Sequence, residues 1–250
     1  MAAAVQQSNP FIKQLGANDR KTRDRAITQL RTFLSRSTAF THLDLLKLWK
    51  GFFYAMWSAD KPRYQQALAR DLASLHTVFS SNANTLLFIR CFWETMGREW
   101  GGIESLRMDK FLYLVRVFIA QSFTWLARDG WKDAESRTEF LEILEHEGPM
   151  NAREVKVPNG LRYHVLDIYV DELDKADGER SAPVEEMMGP ITRLSKDCPV
   201  KSVRERAREA LDDSRLADWK GENINDEEDE DEEEGTDDKN SDDEFGGFDD

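Results

Sequence analysis

Cysteine and histidine, the side chains that most often hold metal ions or act as nucleophilic and basic groups, are scarce in this sequence. Its 250 residues contain two cysteines and four histidines. Neither Cys91 nor Cys198 has a second cysteine at the spacing of a metal site. This is typical of an intracellular protein whose thiols stay reduced. The histidines show no metal-ligand spacing either, so surface or core roles are expected for His42, His76, His146 and His164.

Long apolar runs, a secretory signal and a glycine-rich phosphate loop are also missing. The most apolar stretch, residues 114–127, is interrupted by Arg116 and Gln121 and is too short to span a bilayer. The N-terminus lacks a basic segment followed by an apolar one. The pair Gly101 and Gly102 indicates a helix break. We therefore expect a soluble protein with no membrane partner, no small-molecule substrate and no cofactor.

One acidic pair is compatible with a catalytic metal ion. Asp167 and Asp171 are four residues apart, so they share a face of a predicted helix and could bind magnesium for phosphodiester cleavage. However, the sequence fixes no third ligand near them, and acidic pairs on helices are commonly solvated. A metal-dependent ribonuclease stays open as a third hypothesis, and no catalytic or metal-binding residue is assigned.

Charge is abundant but unevenly distributed. The formal net charge is −14, yet residues 221–250 contain 17 acidic residues and one lysine, whereas residues 1–70 contain 12 basic and four acidic residues. The acidic segment cannot bury enough apolar surface to offset its chain entropy, so a disordered tail is predicted over 221–250. Within it, Ser241 precedes three acidic residues and is a candidate phosphorylation site.

Helical periodicity dominates the rest of the chain. From Leu45 to Met56 the apolar residues recur at i, i+3, i+4, i+7, i+8 and i+11, which lines one face of a helix. The aromatic residues Trp49 and Phe52 are therefore predicted to fill a core rather than to stack on nucleic acid. A short strand is conceivable only at 154–157. Further helices are expected at 85–100, 103–128, 134–147, 161–175, 183–196 and 200–213.

Two distant segments resemble each other. Residues 20–30 read RKTRDRAITQL and residues 201–211 read KSVRERAREAL, a pattern typical of the second helix of a HEAT-type repeat. In both, an inward arginine, Arg23 or Arg204, is expected to bond neighbouring carbonyls. The predicted fold is all-α, with stacked antiparallel helices in a HEAT-like α-solenoid. We assign a flexible N-terminus to 1–8, a helical-repeat-like domain to 9–220 and the disordered acidic tail to 221–250.

Basic residues near the N-terminus are the best candidates for contact with RNA. Such a patch can neutralise phosphates and release counterions, although a solvated face balanced by the acidic tail is the alternative. On the next helix, Tyr54 lies between two lysines and could stack on a base, or could simply be an exposed tyrosine. The candidates are Lys13, Arg20, Lys21, Arg25, Arg31, Arg36, Lys47, Lys50 and Tyr54.

Three segments carry a resemblance to a known family. GFFYAMWSADKPRYQQ (51–66), EWGGIESLRMDKFLYLVR (99–116) and PNGLRYHVLDIYVDEL (158–173), in this order, resemble the eukaryotic family of nucleolar ribosomal RNA-processing protein 1, as a fungal-type member. The similarity runs from residue 9 to residue 174. Within these segments, the apolar residues suit packing, namely Trp57, Trp100, Ile103, Leu106, Phe111 and Leu114. The same segments contain polar residues that either lock helix corners or face a partner, namely Asp60, Lys61, Arg107, Asp109, Lys110, Arg116 and His164.

The resemblance implies a nucleolar, non-enzymatic assembly factor of the large ribosomal subunit. Its expected partners are the pre-60S ribosomal particle, other large-subunit assembly factors, ribosomal proteins and pre-ribosomal RNA. We expect a scaffold that supports processing around the internal transcribed spacers. The alternative is a pure protein–protein adaptor without RNA contact, whose basic face meets acidic partners.

Overall fold

Helices make up the framework of the computed structural model, which describes residues 14–15, 17 and 19–220. Eleven α-helices have both ends among these residues, and 3-10 turns at Ser74–Val78 and Trp100–Gly102 extend two of them. The helices are α1 (Arg20–Leu34), α2 (His42–Ser58), α3 (Pro62–Ala73), α4 (Asn82–Glu99), α5 (Ser105–Ala127), α6 (Ala134–His146), α7 (Asn159–Ala176), α8 (Val184–Met187), α9 (Gly189–Asp197), α10 (Lys201–Leu211) and α11 (Arg215–Lys220).

Among the longer helices from α2 onward, each packs against the helix two places further along the chain, and this produces two layers. The first layer runs α2, α4, α6, α9, and the second runs α3, α5, α7, α10. Helix α1 lies beside α3 at the N-terminal end of the second layer. Successive helices therefore pair as hairpins that stack side by side, which confirms the predicted HEAT-like α-solenoid. None of the described helices is long and apolar enough to cross a membrane.

Aromatic rings fill the space between the layers. Phe118 of α5 stacks on Phe92 of α4 with ring centroids 3.7 Å apart, and it contacts the edges of Trp49 and His76 at 5.5 and 5.4 Å. Trp49 is 1% exposed and Phe52 is fully buried, which confirms that these two aromatic residues belong to the core. Such rings bury large apolar areas and hold the layers together.

An arginine occupies the fourth position of four helices and bonds carbonyls of the loop before the helix. Arg23 of α1 donates to the Ala17 carbonyl at 2.8 Å, and Arg204 of α10 donates to the Cys198 carbonyl at 2.7 Å. Arg137 of α6 reaches the Trp131 carbonyl, and Arg162 of α7 reaches two carbonyls of its loop. The inward roles predicted for Arg23 and Arg204 are therefore present, and the device is more widespread than the sequence match indicated.

Three local predictions are wrong. Leu106 is 98% exposed, because it lies in the first turn of α5, outside the layer contacts. Residues 154–157 form a turn, because Arg162 and Asn151 bond that segment's backbone, and no strand occurs in the described chain. The helix expected at 183–196 divides into α8 and α9 just before Pro190, whose nitrogen carries no hydrogen to continue α8.

Asp177 anchors the C-terminal helix α11 to the end of α7. Its buried carboxylate accepts hydrogen bonds from the indoles of Trp131 (3.1 Å) and Trp219 (2.6 Å) and from residues 181 and 182. Burial by itself would raise the pKa of Asp177, but these hydrogen bonds outweigh it and hold the pKa below its usual range. The chain therefore leaves the solenoid beside α7, and the predicted segments 1–8 and 221–250 lie outside the described residues.

Candidate nucleic-acid interface

Lys21 and Arg25 are the exposed cations among the described side chains of α1. The apolar stripe of this helix, Ala26, Ile27 and Leu30, is buried against the solenoid, so the two basic side chains point into solvent. Within the described part of the chain, no carboxylate or other side chain bonds either of them. Both side chains thus lie away from the apolar stripe, and their contact with RNA stays a prediction.

Of the other N-terminal candidates for RNA contact, some already have a partner within the protein, and the side chains of the rest lie outside the described part of the chain. Arg31 donates to the Ser74 hydroxyl at 2.5 Å, and the guanidinium of Arg36 lies over the rings of Phe33 and Phe40 at 4.2 and 4.4 Å. Arg20 belongs to α1, but its side chain is outside the description. Lys13 and Ser241 also lie outside the described residues.

The lysine–tyrosine group on α2 is only partly free. Lys47 is exposed, whereas Lys50 forms an ion pair with Glu99 at 3.7 Å and lies 6.0 Å from the ring centroid of Tyr54. Tyr54 is half-buried and packs edge-on against Phe53 at 6.0 Å. Its ring is therefore held in place, with one lysine on its side of the helix free to bind phosphate.

Lys110 locks the corner between α2 and α3. Its ammonium donates to the carbonyls of Trp57 (2.7 Å) and Ala59 (2.8 Å), which close α2. Burial lowers the pKa of Lys110, with the nearby Arg107 acting in the same direction. Asp60 and Lys61 are both exposed at this corner and make no side-chain hydrogen bond in the described structure.

The first turn of α5 carries an exposed apolar surface. Leu106 projects into solvent, and Arg107 beside it forms an ion pair with Glu104 and lies 5.0 Å from the ring centroid of Trp57. Trp57 is half-buried, and Asp109 is exposed. We call Trp57, Leu106 and Arg107 the α5 surface.

Arg116 and His164 join α5 to α7. Arg116 bonds the carboxylates of Asp171 (2.9 Å) and Glu172 (2.6 Å), and the imidazole of His164 donates to the Leu112 carbonyl at 2.8 Å. Burial lowers the pKa of His164. These side chains hold the second layer together, which is the locking role considered for them from the sequence.

The acidic pair considered for magnesium is bound to arginines. Asp167 pairs with Arg206 at 2.6 Å, and Asp171 accepts from both Arg116 and Arg215 at 2.9 Å. Burial alone would raise the pKa of Asp171, but the two arginines hold it below its usual range. The described residues contain no group of three His, Cys, Asp or Glu side chains able to hold a metal ion.

The cysteines and the remaining histidines lie either in the core or at the surface. Cys91 and Cys198 are buried as free thiols, and burial raises the pKa of Cys91 to about 12, so it is no nucleophile at neutral pH. His42 pairs with Glu94 at 2.8 Å, and His146 is exposed. His76 is fully buried.

A groove between α1 and α3 was not predicted. Its volume is about 680 Å³; Leu15, Ile27 and Leu68 line its base, and Lys61 and Arg63 stand at its rim. Inside it, Tyr64 donates its hydroxyl to the Leu15 carbonyl and lies 4.1 Å from the guanidinium of Arg23, measured to the ring centroid. The sequence held one signal, the basic pair flanking Pro62, but nothing local showed that α1 would lie beside it.

Comparison with known proteins identifies the family. The family model described as "Nucleolar protein, Nop52" matches residues 6–246. The human ribosomal RNA processing protein 1 homolog B is 41% identical over 185 residues, which cover 72% of this chain and 24% of that protein. The human homolog A is 38% identical over 174 residues, covering 68% of this chain and 37% of that protein. The Caenorhabditis elegans ribosomal RNA processing protein 1 homolog is 32% identical over 187 residues, which cover 74% of this chain and 46% of that protein.

The chain thus spans about a quarter to a half of the length of these curated relatives. The matched region includes the solenoid and the three segments that carried the resemblance. Because the family model covers nearly all of the sequence, the resemblance is confirmed. The chain belongs to the Nop52 family of nucleolar proteins.

Proposed function

We propose that this protein is a nucleolar, non-catalytic assembly factor that supports processing of ribosomal RNA. The family is described as nucleolar, and the relatives are named for ribosomal RNA processing. More specifically, the solenoid acts as a scaffold in precursors of the large subunit, where it binds pre-ribosomal RNA and other assembly factors while the internal transcribed spacers are processed. An α-solenoid suits this task because stacked hairpins present extended surfaces.

The observation that carries the RNA contact is the distribution of unpaired cations. Lys21 and Arg25 on α1 are exposed and bind no carboxylate in the described chain, whereas Arg206, the counterpart of Arg25 on the similar helix α10, binds Asp167 and Glu209. Equivalent positions on two similar helices therefore differ in what they offer a polyanion. Free cations displace counterions from phosphates, and this provides affinity that does not depend on sequence.

The test is a binding titration with a spacer-containing pre-ribosomal RNA fragment at several salt concentrations. The double variant Lys21→Gln, Arg25→Gln should weaken binding about tenfold at low salt. It should also make the slope of log K against log salt less steep by about 1.4 to 1.8, because two phosphate contacts are lost. Arg206→Gln is the matched control and should bind like the wild type. Unchanged affinity in the α1 variant would refute the RNA contact and leave the adaptor function.

The α5 surface favours a second candidate, a protein–protein adaptor. Leu106 is 98% exposed, and the adjacent Arg107 lies over the half-buried ring of Trp57; tryptophan and arginine are enriched at contacts between proteins. Leu106→Ser in the tagged full chain should reduce recovery of assembly factors in a pull-down. Leu43→Ser, at a leucine on α2 that is 57% exposed, is the control. Equal recovery from both variants would exclude this surface as the docking site.

A further inference from the structure

The net charge of −16 on residues 221–250 contrasts with the basic end of the solenoid. This segment, the acidic tail, follows Lys220 at the end of α11, beside α7. The arginines nearest to its origin are already satisfied: Arg180 binds Asp174 and Asp218, and Arg215 binds Asp171, Asp174 and Asp213. The tail therefore finds few free cations close to where it begins.

Free cations lie at the other end of the second layer. Lys61 and Arg63, at the rim of the groove between α1 and α3, are exposed and have no carboxylate partner in the described chain. Two further arginines and two carboxylates, Asp24 and Asp71, also line the groove, so its charged side chains are four basic and two acidic. The rim thus attracts anions, and the base of the groove is apolar.

The last nine residues of the chain have the complementary chemistry. They read DDEFGGFDD and set Phe245 and Phe248 between five carboxylates. We propose that residues 242–250 dock into this groove of the same molecule. Their carboxylates pair with Lys61 and Arg63, and a phenylalanine ring packs inside the groove against its partly exposed lining residues Tyr64 and Ala67. The docked tail occupies the basic end of the solenoid and competes there with RNA and other polyanions.

The tail is long enough for this contact. Helices in one layer lie about 10 Å apart, so α1 is about 30 Å from α7, three steps along the second layer. Thirty residues extend to about 100 Å, and a flexible chain of that length has an r.m.s. end-to-end distance of about 30 Å. A tether of this kind gives an effective concentration near the millimolar range, so even a weak site is occupied. Docking itself needs no RNA; only the competition rests on the proposed function.

Zero-length carbodiimide cross-linking of the full chain, without RNA, tests the docking. The reagent joins carboxylates to lysine amines only at ion-pair distance, and mass spectrometry locates the products. We expect carboxylates of 242–250 to couple to Lys61 about tenfold more than to Lys132 or Lys196, which are exposed elsewhere, and this preference should disappear at about 0.5 M salt. Even coupling over all three lysines would overturn the proposal.

Two variants separate docking in the groove from general electrostatics. Phe245→Ser with Phe248→Ser keeps every charge of the tail, and Arg63→Glu reverses one charge at the rim. Each should reduce the Lys61 products several-fold. Unchanged products in the double serine variant would refute seating of the rings in the groove.

The competition is measured separately with RNA. The double serine variant should bind a non-specific RNA several-fold more tightly than the wild type, and unaltered RNA affinity would refute the competition. A protein that forms the Lys61 products but binds no RNA would refute the proposed RNA contact and leave the docking intact. A protein that binds RNA through α1 without these products would refute the docking alone.

Discussion

His76 is a buried histidine whose two ring nitrogens lack hydrogen-bond partners. Burial lowers its pKa to about 4; the backbone of Gln121 and Ala73 approaches the ring and offsets this slightly, without completing a hydrogen bond. The unfolded chain takes up this proton near pH 6.5, so it binds more protons than the folded protein below that pH. Stability from His76 is therefore complete above pH 6.5 and decreases as the pH falls toward 4.

His76→Leu should remove this pH dependence. Between pH 6.5 and 4 the wild type should lose about 3 kcal/mol of unfolding free energy that the variant retains. The pKa of His76 differs by about two to three units between the unfolded and the folded state, and each unit corresponds to about 1.4 kcal/mol. Urea denaturation at a series of pH values measures the difference. His146→Leu, at an exposed position, should follow the wild-type curve. Parallel curves for wild type and His76→Leu would contradict the argument.

Lys110 allows a second test at the scale of one residue. Lys110→Met keeps the aliphatic stem but leaves the carbonyls of Trp57 and Ala59 without their donor. We expect a loss of about 2–3 kcal/mol in unfolding free energy, since removing one partner leaves buried polar groups unpaired. The same substitution at the exposed Lys61 should change stability by less than about 0.5 kcal/mol. Similar losses in both variants would mean that the corner is not locked by this ammonium.

At the scale of the helix, the arginine at the fourth position of α1, α6, α7 and α10 ties that helix to the loop before it. Arg162 is 2% exposed and donates to the carbonyls of Asn151 and Glu154 at 2.6 and 2.8 Å, whereas the exposed Arg206 only forms surface ion pairs. Burial lowers the pKa of Arg162, and its bonds offset the cost of burying the charge.

Arg162→Met should therefore lower the unfolding free energy by about 3 kcal/mol, and Arg206→Met by less than about 1 kcal/mol. Thermal denaturation of the two variants compares them directly. The loop at residues 151–157 should also exchange its amide hydrogens faster in Arg162→Met, because the arginine no longer holds its carbonyls. Slow exchange in that loop would show that the arginine does not organise it.

At the scale of the whole molecule, the solenoid has one continuous core in which each hairpin supports its neighbours. Phe118 lies at its centre, in contact with rings of α2 and α4, while Leu216 of α11 lies at one end. Stability in such a stack is a sum of hairpin terms and of contacts between adjacent hairpins. A cavity at the centre should therefore affect several helices, and a cavity at the end only one.

Phe118→Ala should cost about 3–5 kcal/mol and accelerate hydrogen exchange in α2, α4 and α5 together. Leu216→Ala should accelerate exchange only in α11, in α8, which packs against it, and in the adjoining end of α7. Hydrogen-exchange mass spectrometry resolves the two patterns. Acceleration confined to α5 in Phe118→Ala would contradict a shared core.

The sequence by itself determined the helices, the stacked architecture and the separation of charge between the two ends. Helical periodicity and charge runs are local properties, since a helix bonds its own backbone within four residues. The family resemblance also rested on contiguous segments, and it was confirmed.

Only the tertiary structure decided which polar side chains are free. Arg31 and Arg25 look alike in the sequence, but Arg31 bonds Ser74, 43 residues away, while Arg25 stays exposed. Likewise, Arg116 meets Glu172 across 56 residues, and Leu106 is left outside the core by the packing of α5. Such partners are set by how the layers stack, because side chains distant in sequence meet only after the helices have packed.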